Sequence, residues 1–378
     1  MQDRHGYYLY YGTDSDGVAR KIEMQMAEFG KILPFEKLSL SRPKNHGAQK
    51  LLRALPTATY GYNYEEVFEQ MKDPAAVYMR QGLFDADLIR FFRRVKAAYP
   101  HCVTIIEFPS FPYLKDRFSH GFKGNLRSIP IHVKDLLIRG KLKSCVDYIS
   151  TFSDYSSIYG VPTLHIRNGI RVDDITPLTG TEDDTVDLLA VALMAKHHGF
   201  ERIIQGIADY YRGGGRRKVL LHLVGNGVEQ PRYEKMVADL GIGEHVKLYG
   251  RRVGAELDAI YERADLAVAS LGIYKLGLKV GSFIKTGEYL SKGLPMITGS
   301  PVDVLDHADF PYFLEFPNDT SPIDIGRVID FYDKIYGEAD RAAVIHAVRA
   351  YAYKKLDISV ALQPVTDVMR AAAEEQEQ

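Results

Sequence analysis

The 378-residue sequence contains no tryptophan and only two cysteines, Cys102 and Cys145. Two thiols in a chain of this length do not form a disulfide framework, so a reducing cytoplasm is the expected compartment. The amino terminus has no apolar core for a signal peptide. The longest nearly apolar run, 186–195, is about half a membrane span and contains Asp187. We therefore expect no membrane-spanning segment.

The sequence also lacks an excess of charge of either sign. It has 48 Lys and Arg against 49 Asp and Glu, so no overall basicity points to nucleic acid as a partner. The hydrophobic fraction of 46% and the charged fraction of 26% exclude a disordered, collagen-like or coiled-coil chain. Because tryptophan is absent and tyrosine is abundant at 25 residues, a ring that stacks on a sugar or a base must be Tyr, Phe or His.

Short apolar runs alternate with amphipathic stretches along the whole chain, which predicts βαβ units and parallel sheets covered by helices. The polar stretch 173–185 has no periodicity and is interpreted as a linker between two α/β domains. We predict a first domain over residues 1–175 and a second over residues 176–345. The helices of residues 346–378 are expected to pack back on the first domain.

Two glycine-containing segments of the second half are candidates for ligand binding. Gly225-Asn226-Gly227 follows a strand, and such a turn lets backbone N–H groups approach a phosphate or a base. The segment His197-His198-Gly199-Phe-Glu-Arg202 places imidazole and guanidinium groups at the end of the preceding strand. The alternatives are an ordinary turn and a solvated basic helix start. Adjacent histidines point in different directions and do not make a metal pair.

A third segment, rich in Gly and Lys, leads into a helix near residue 282. The helix amino terminus, Ser282 and Lys285 are positioned to hold a diphosphate. Lys285 and Glu288 are three residues apart and share a helix face. A carboxylate at 288 can accept the hydroxyls of a ribose while the ammonium meets the phosphates. The alternative is an intrahelical ion pair, worth only about 0.3–0.5 kcal/mol at a surface.

The order of four motifs resembles the nucleotide-sugar domain of bacterial GT-B glycosyltransferases, close to glycosyltransferase family 4. They are Gly225-Asn-Gly227, Val246-Lys-Leu-Tyr-Gly250, Ala264-Asp265-Leu-Ala and Glu288-Tyr-Leu-Ser-Lys-Gly-Leu-Pro295. The segment ending in Arg202 is similar to the Trp-His-Gly-x-x-Arg motif of exopolysaccharide transferases, with His in place of Trp. In the first half, the matching segments are Gly17-Val-Ala-Arg-Lys-Ile22, Glu107-Phe-Pro-Ser-Phe-Pro-Tyr113 and Asn168-Gly-Ile170.

The resemblance implies a GT-B fold, that is, two Rossmann-like doubly wound α/β domains facing a central cleft. It further implies retaining transfer of a hexose from a nucleoside-diphosphate sugar, most often a UDP-sugar, to a lipid-linked oligosaccharide in exopolysaccharide or capsule synthesis. No metal and no further cofactor is expected. The implied catalytic residues are His198, beside the sugar or phosphate, and Glu107, which faces the acceptor together with Gly17. The implied nucleotide-sugar-binding residues are Arg202, Ser282 and Lys285 on the diphosphate, Glu288 on the ribose, and Gly225, Asn226, Gly227 and Gly250 on the base and backbone.

Two features depart from the resemblance. Family 4 usually has two glutamates in this region, but no acidic residue lies between Asp265 and Glu288. The hydroxyls of the donor sugar are then expected to meet backbone amides of residues 277–282. Asp14-Ser-Asp16 matches the metal-binding Asp-x-Asp motif of another transferase fold, but Asp and Ser are ordinary cap and turn residues after a strand.

The segment 115–143 is basic and apolar at once. Its basic residues are Lys115, Arg117, Lys123, Arg127, Lys134, Arg139, Lys141 and Lys143. Such a composition suits an interfacial helix on anionic lipid, or else a solvated helix face. We therefore expect a cytoplasmic protein that is peripheral on the inner face of the cell membrane. Two other classes stay open, a nucleotide-sugar epimerase of the same fold and a noncatalytic, transferase-like partner protein.

Overall fold

The computed structural model describes residues 4–12, 16–42, 55, 58–80, 82–109, 111, 121–180, 184–281 and 283–374, without the side chains of residues 16, 17 and 121–128. The chain divides into two compact units. The first comprises residues 1–167 and 361–378, and the second comprises residues 168–360.

The first unit is built on a seven-stranded sheet in the order β2-β1-β3-β4-β5-β7-β6. Its strands are β1 His5–Tyr11, β2 Phe35–Leu40, β3 Pro74–Arg80, β4 Val103–Phe108, β5 Tyr148–Thr151, β6 Ser157–Ile158 and β7 Val161–His165. Its helices are α1 Asp16–Phe29, α2 Tyr64–Gln70, α3 Ala86–Ala98, α4 Gly121–Ile138 and the carboxyl-terminal α12 Gln363–Glu374. Neighbouring strands are parallel except for the antiparallel pair β6 and β7.

The residue pattern explains these elements. Strands β3 and β4 are almost continuously apolar and buried along their length, as expected of central strands covered by helices on both faces. Helix α3 is capped by Asp85, whose carboxylate accepts the N–H of Leu88 at 3.1 Å. The helix then turns Leu88, Phe92 and Val95 into the core at helical spacing.

The second unit contains a six-stranded parallel sheet in the order β10-β9-β8-β11-β12-β13. Its strands are β8 Thr185–Val191, β9 Lys218–Val224, β10 Val246–Gly250, β11 Leu266–Val268, β12 Met296–Thr298 and β13 Phe313–Glu315. Its helices are α5 Glu201–Arg212, α6 Gln230–Leu240, α7 Ala255–Tyr261, α8 Ile284–Lys292, α9 Ile325–Glu338 and α10 Arg341–Lys355, and the short α11 Ile358–Ala361 leads back to the first unit. The strand order reverses between β8 and β11, so the sheet is doubly wound.

The predicted α/β class, with two doubly wound parallel sheets, is confirmed, but the chain passes between the units at other positions than the predicted boundaries. The polar stretch 173–185 is not a linker, because Leu178 is buried in the second unit and donates its N–H to the carbonyl of Lys292 at 3.0 Å. Helix α10 belongs to the second unit, where it packs on α8. Helix α12 packs on β3, β4 and β7 of the first unit.

Among the described residues, no helix combines the length and the apolar character needed to cross a membrane.

Candidate functional site

The carboxyl ends of β8 and β11 meet where the strand order of the second unit reverses, the position at which open α/β sheets generally bind ligands. A cavity of about 310 Å³ lies at this point. Its lining residues come from the start of the second unit, the two strand ends, the segment after β8 and the start of α8. They are Asn168, Val191, Ala192, His198, Phe200, Val268, Ala269, Ser270, Phe283, Ile284, Lys285, Thr286 and Tyr289.

His198 lines the cavity and lies at the end of a short 3-10 turn after β8. Its Nδ1 is 2.9 Å from the hydroxyl oxygen of Ser270, which follows β11. The ring stacks on Phe200 with centroids 5.5 Å apart. Burial, with a smaller contribution from the adjacent His197, lowers the pKa of His198 to about 4. His198 is therefore a neutral imidazole at pH 7, with one nitrogen that donates and one that accepts.

Two glycines allow the segments after β8 and β11 to touch. Gly199 has φ 64°, and a Cβ at this position would lie 2.6 Å from the nitrogen of Gly272. The N–H of Leu271 donates to the carbonyl of His198 at 2.7 Å across the same contact. A side chain at either glycine would separate the loops, so the pair determines where His198 sits.

Helix α8 contributes Lys285 and Thr286 to the cavity lining through its first turn. The Lys285 ammonium is ion-paired with the Glu288 carboxylate, and the two side chains are 40% and 25% exposed. A helix amino terminus with a lysine in its first turn favours an anion such as a phosphate. Glu288 is one turn farther along and is not among the lining residues. Ser282 lies outside the described residues.

The predicted glycine turn after β9 packs against the segment after β8. Gly225 has φ 129°, and a Cβ there would lie 1.9 Å from the carbonyl oxygen of Ala192, a lining residue. The Gly225 N–H donates to the carbonyl of Gly250 at 2.8 Å, and the Asn226 carbonyl accepts a backbone N–H of the segment after β8 at 2.7 Å. Gly227 also has a positive φ, 153°. These residues thus shape the wall behind the cavity, and their contacts to a nucleotide stay predictions.

Arg202 does not lie at the cavity, although the sequence suggested it for a diphosphate. Its side chain is 1% exposed. Its Nε donates to the carbonyl of Ser321 at 2.6 Å, and Nη2 donates to the carbonyl of Pro317 at 2.9 Å. Nη1 donates to the carbonyl of Leu271 at 2.5 Å. The guanidinium therefore holds protein loops, including the one that contacts His198, and we assign it a positioning role.

Glu107 of the first unit is fully buried, with 0% of its side chain exposed. Its Oε1 accepts hydrogen bonds from Lys21 at 2.9 Å and Arg80 at 3.1 Å, and its Oε2 accepts from Gln25 at 2.8 Å and Tyr78 at 2.7 Å. Burial alone would raise the pKa of Glu107, but Lys21 and Arg80 outweigh it and hold the pKa below its usual value. All lone-pair positions are occupied, so this geometry does not favour the catalytic role suggested for Glu107.

The remaining predictions for the first unit concern Gly17 and metal binding. Gly17 lies in the first turn of α1, and Asp14 lies outside the described residues. Within the described part of the chain, no three His, Cys, Asp or Glu side chains are grouped to hold a metal ion. Metal independence stays a prediction.

The structure corrects one part of the basic segment 115–143. Lys134 is 1% exposed, and its ammonium lies 4.3 Å from the centroid of the Tyr60 ring, so it is unavailable to a lipid surface. Lys141 and Lys143 are exposed. Among the described side chains of α4, the large exposed apolar ones are Ile129, Leu136 and Leu137 at 47%, 48% and 55%. Lys115 and Arg117 lie outside the described residues, as do the side chains of Lys123 and Arg127.

The sequence did not single out Ser270 or Tyr289 as site residues. Tyr289 is buried, and its hydroxyl accepts the N–H of Val191 at 2.8 Å, which holds α8 against the end of β8. The available signal was the position of Tyr289 directly after Glu288. For Ser270, the available signal was its position directly after the apolar run 266–269 and two residues before Gly272.

Residues 185–309 match the sequence profile of the family described as Glycosyl transferases group 1. The matched segment contains both strand ends of the cavity, His198 and all of α8. The chain is a glycosyltransferase. No curated protein matches the sequence of this glycosyltransferase.

Several solved structures share the fold of this glycosyltransferase over nearly its whole length. A glycosyltransferase from Rickettsia africae is 11% identical over 100% of both chains, with a TM-score of 0.63. HepE from Anabaena, in complex with UDP, is 13% identical over 97% of this chain and 100% of its own, with a TM-score of 0.60. The lipopolysaccharide outer core galactosyltransferase WaaB, without ligand, is 12% identical over 98% and 99%, with a TM-score of 0.56. The fold is therefore GT-B, with two Rossmann-like units.

Proposed function

We propose that this glycosyltransferase moves a hexose from a UDP-sugar to a lipid-linked oligosaccharide, with retention of the anomeric configuration. The observation that carries the proposal is the cavity at the point of strand reversal. It combines the amino terminus of α8, the Lys285 ammonium and the neutral imidazole of His198. Such a set binds a diphosphate and a sugar hydroxyl at the same time.

Each group has a role that its chemistry permits. The α8 amino terminus and Lys285 stabilise the negative charge that grows on the leaving diphosphate, so no metal ion is needed. His198 donates a hydrogen bond to the sugar or to a phosphate oxygen without adding a charge. Glu288 turns from Lys285 to the ribose hydroxyls when the nucleotide is bound. The glycine turn after β9 supports the wall next to the base.

The nature of the donor and the acceptor is suggested by proteins of the same fold. HepE has been solved with UDP, and WaaB is described as acting on the lipopolysaccharide outer core. In the first unit, the exposed Leu136 and Leu137 of α4 lie close in sequence to the exposed Lys141 and Lys143. Apolar and basic side chains together suit a protein that collects a lipid-linked substrate of exopolysaccharide or capsule synthesis at the inner face of the membrane.

The test has two stages. A thermal-unfolding panel with UDP, GDP, ADP and their sugars identifies the donor, because ligand at a hundred times its Kd adds about 2.7 kcal/mol to the stability. The full chain is then incubated with the labelled donor, a membrane extract and EDTA. We expect label in the lipid fraction despite the chelator. Label in an epimerised nucleotide sugar would identify an epimerase instead, and no nucleotide binding would indicate a noncatalytic partner.

A further inference from the structure

Two cations of the first unit converge on one oxygen of a buried carboxylate. The Lys21 ammonium lies 2.9 Å and an Arg80 guanidinium nitrogen lies 3.1 Å from Oε1 of Glu107. The other oxygen, Oε2, is occupied by hydrogen bonds from Gln25 and Tyr78. The cluster therefore contains two positive charges against one negative charge, with the negative charge saturated and fully buried.

Both cations keep donors that the carboxylate does not use. The side chains of Lys21 and Arg80 are 20% and 19% exposed, whereas that of Glu107 is 0% exposed. An ammonium has three N–H donors and a guanidinium has five, and Glu107 accepts from one nitrogen of each. Within the described residues, the other neighbour of these two charged groups is the Phe152 ring, whose centroid is 4.3 Å from the Lys21 nitrogen. A second anion can therefore be bound by the remaining donors.

The cluster lies where its sheet is expected to bind ligands. The strand order β2-β1-β3-β4 reverses between β1 and β3. Arg80 is the last residue of β3, Glu107 is near the end of β4, and Lys21 is on α1, the helix after β1. All three residues thus belong to the carboxyl edge of the sheet next to the point of reversal. None of these three residues lines the cavity of the second unit, whose lining residues all come from residues 168–289.

We propose that Lys21 and Arg80 form an anion site in the first unit, which binds a phosphate or carboxylate group of the acceptor. A guanidinium offers a planar fork for two oxygens, and the ammonium adds a point charge beside it. Glu107 is then a positioning residue that holds both cations at the sheet edge. The assignment of the anion to the acceptor rests on the proposed function, but the anion site itself does not.

The chain provides a matched control for Lys21. Lys37 is on β2 of the same sheet, pairs with Glu23 at 3.0 Å and lies 4.4 Å from the centroid of the Tyr10 ring. Its side chain is 27% exposed, close to the value for Lys21. Among the residues that the structure describes, no second cation shares the Glu23 carboxylate. If an ordinary ion pair over an aromatic ring bound anions, Lys37 would do so as well.

In the experiment, inorganic phosphate is titrated into the full chain in the presence of saturating UDP, and its binding is measured by calorimetry. We expect Arg80→Gln to weaken phosphate binding at least about tenfold, Arg80→Lys to weaken it less, and Lys37→Gln to leave it unchanged. Glu107→Gln removes the negative charge but keeps the side-chain shape, so it is expected to strengthen phosphate binding. Thermal unfolding of each variant, with and without phosphate, shows whether the fold is retained.

Three results would overturn the proposal. The first is that the UDP-saturated parent chain does not bind phosphate. The second is that Arg80→Gln and Lys37→Gln bind phosphate with equal affinity. The third is that Arg80→Gln binds UDP more weakly than the parent, which would assign the site to the donor. Acetate competing with phosphate shows that carboxylates share the site, and acetate without effect restricts it to phosphates. If UDP does not bind the parent chain, the proposed function fails, and the difference between the Arg80 and Lys37 variants still tests the anion site.

Discussion

The Nδ1 of His198 lies 2.9 Å from the Ser270 hydroxyl, and this contact joins the segment after β8 to the segment after β11. The two strands are neighbours at the reversal of the sheet, so the pair lies at the position where a nucleotide is expected. Burial keeps the imidazole neutral, because its pKa is lowered to about 4. The pair therefore combines a fixed geometry with an uncharged donor at pH 7.

The lowered pKa of His198 predicts a pH dependence of stability. Between about pH 6.5 and pH 4, the unfolded chain binds a proton at this position and the folded chain does not, so the free energy of unfolding decreases as the pH falls through this window. His198→Gln removes this contribution. We expect the parent to lose more stability between pH 7 and pH 5 than His198→Gln, as measured by urea unfolding.

A second histidine serves as the control for that measurement. His245 stacks on Tyr211 with ring centroids 3.7 Å apart and has no contact to the cavity. The His245→Gln variant controls for the removal of a histidine that does not line the cavity. An equal pH dependence in the parent and His198→Gln would contradict the neutral imidazole.

The contact between Gly199 and Gly272 predicts a graded effect of alanine substitutions. Gly199→Ala adds a Cβ 2.6 Å from a backbone nitrogen in a left-handed conformation, whereas Gly241 has a similar φ of 67° with no atom within 4 Å of its Cβ position. We expect Gly241→Ala to cost about 1–2 kcal/mol of stability from backbone strain alone, and Gly199→Ala to cost more. Only Gly199→Ala should also weaken UDP binding, measured by calorimetry. Equal losses would mean that the loop contact can relax.

The exposure of the basic side chains predicts which of them act at a membrane. Replacing Lys141 and Lys143 by Gln should weaken binding to anionic vesicles by about 1 kcal/mol for each charge, since both side chains are exposed. Replacing the exposed Lys218 and Lys334 of the second unit is the control and should have little effect. Co-sedimentation at low salt measures the difference. If both double variants bind like the parent, the segment 115–143 is a solvated surface.

Periodicity was sufficient to predict most helices and long strands of this chain, because their apolar residues follow the helical or buried-strand pattern over many positions. Strand β13 has only three residues and β2 alternates weakly, so neither stood out. The stretch 173–185 was misinterpreted as a linker for a different reason. Its neighbour Val172 is held by Arg349, whose guanidinium donates to the Val172 carbonyl at 2.9 Å from far along the chain.

Arg202 and Glu107 show why a sequence motif can identify a residue without identifying its role. Both carry charges within segments that resemble transferase motifs, and both are buried. The groups that bury them are remote in sequence, namely the carbonyl of Pro317 for Arg202 and the Arg80 guanidinium for Glu107. Sequence spacing cannot report such contacts. His198 and Lys285 line one cavity, because His198 lies in the segment after β8 and Lys285 lies in the first turn of α8, and their contacts to a nucleotide stay predictions.

Variants of Lys285 and Glu288 distinguish a nucleotide-binding site from a helical ion pair. If Lys285 binds the diphosphate and Glu288 the ribose, Lys285→Ala and Glu288→Gln should each weaken UDP binding by roughly 1.5–3 kcal/mol, about ten- to a hundredfold. The free energy of unfolding of both variants should change by only a few tenths of a kcal/mol, because the side chains of Lys285 and Glu288 are partly exposed. The matched control is the pair Lys235 and Asp239 on α6, 2.7 Å apart and 75% and 60% exposed. Lys235→Ala and Asp239→Asn should leave the UDP affinity unchanged in calorimetric titration. UDP affinities equal to that of the parent in the Lys285 and Glu288 variants would remove both residues from the site, and the cavity would then have to bind its ligand through His198, Ser270 and the backbone of α8.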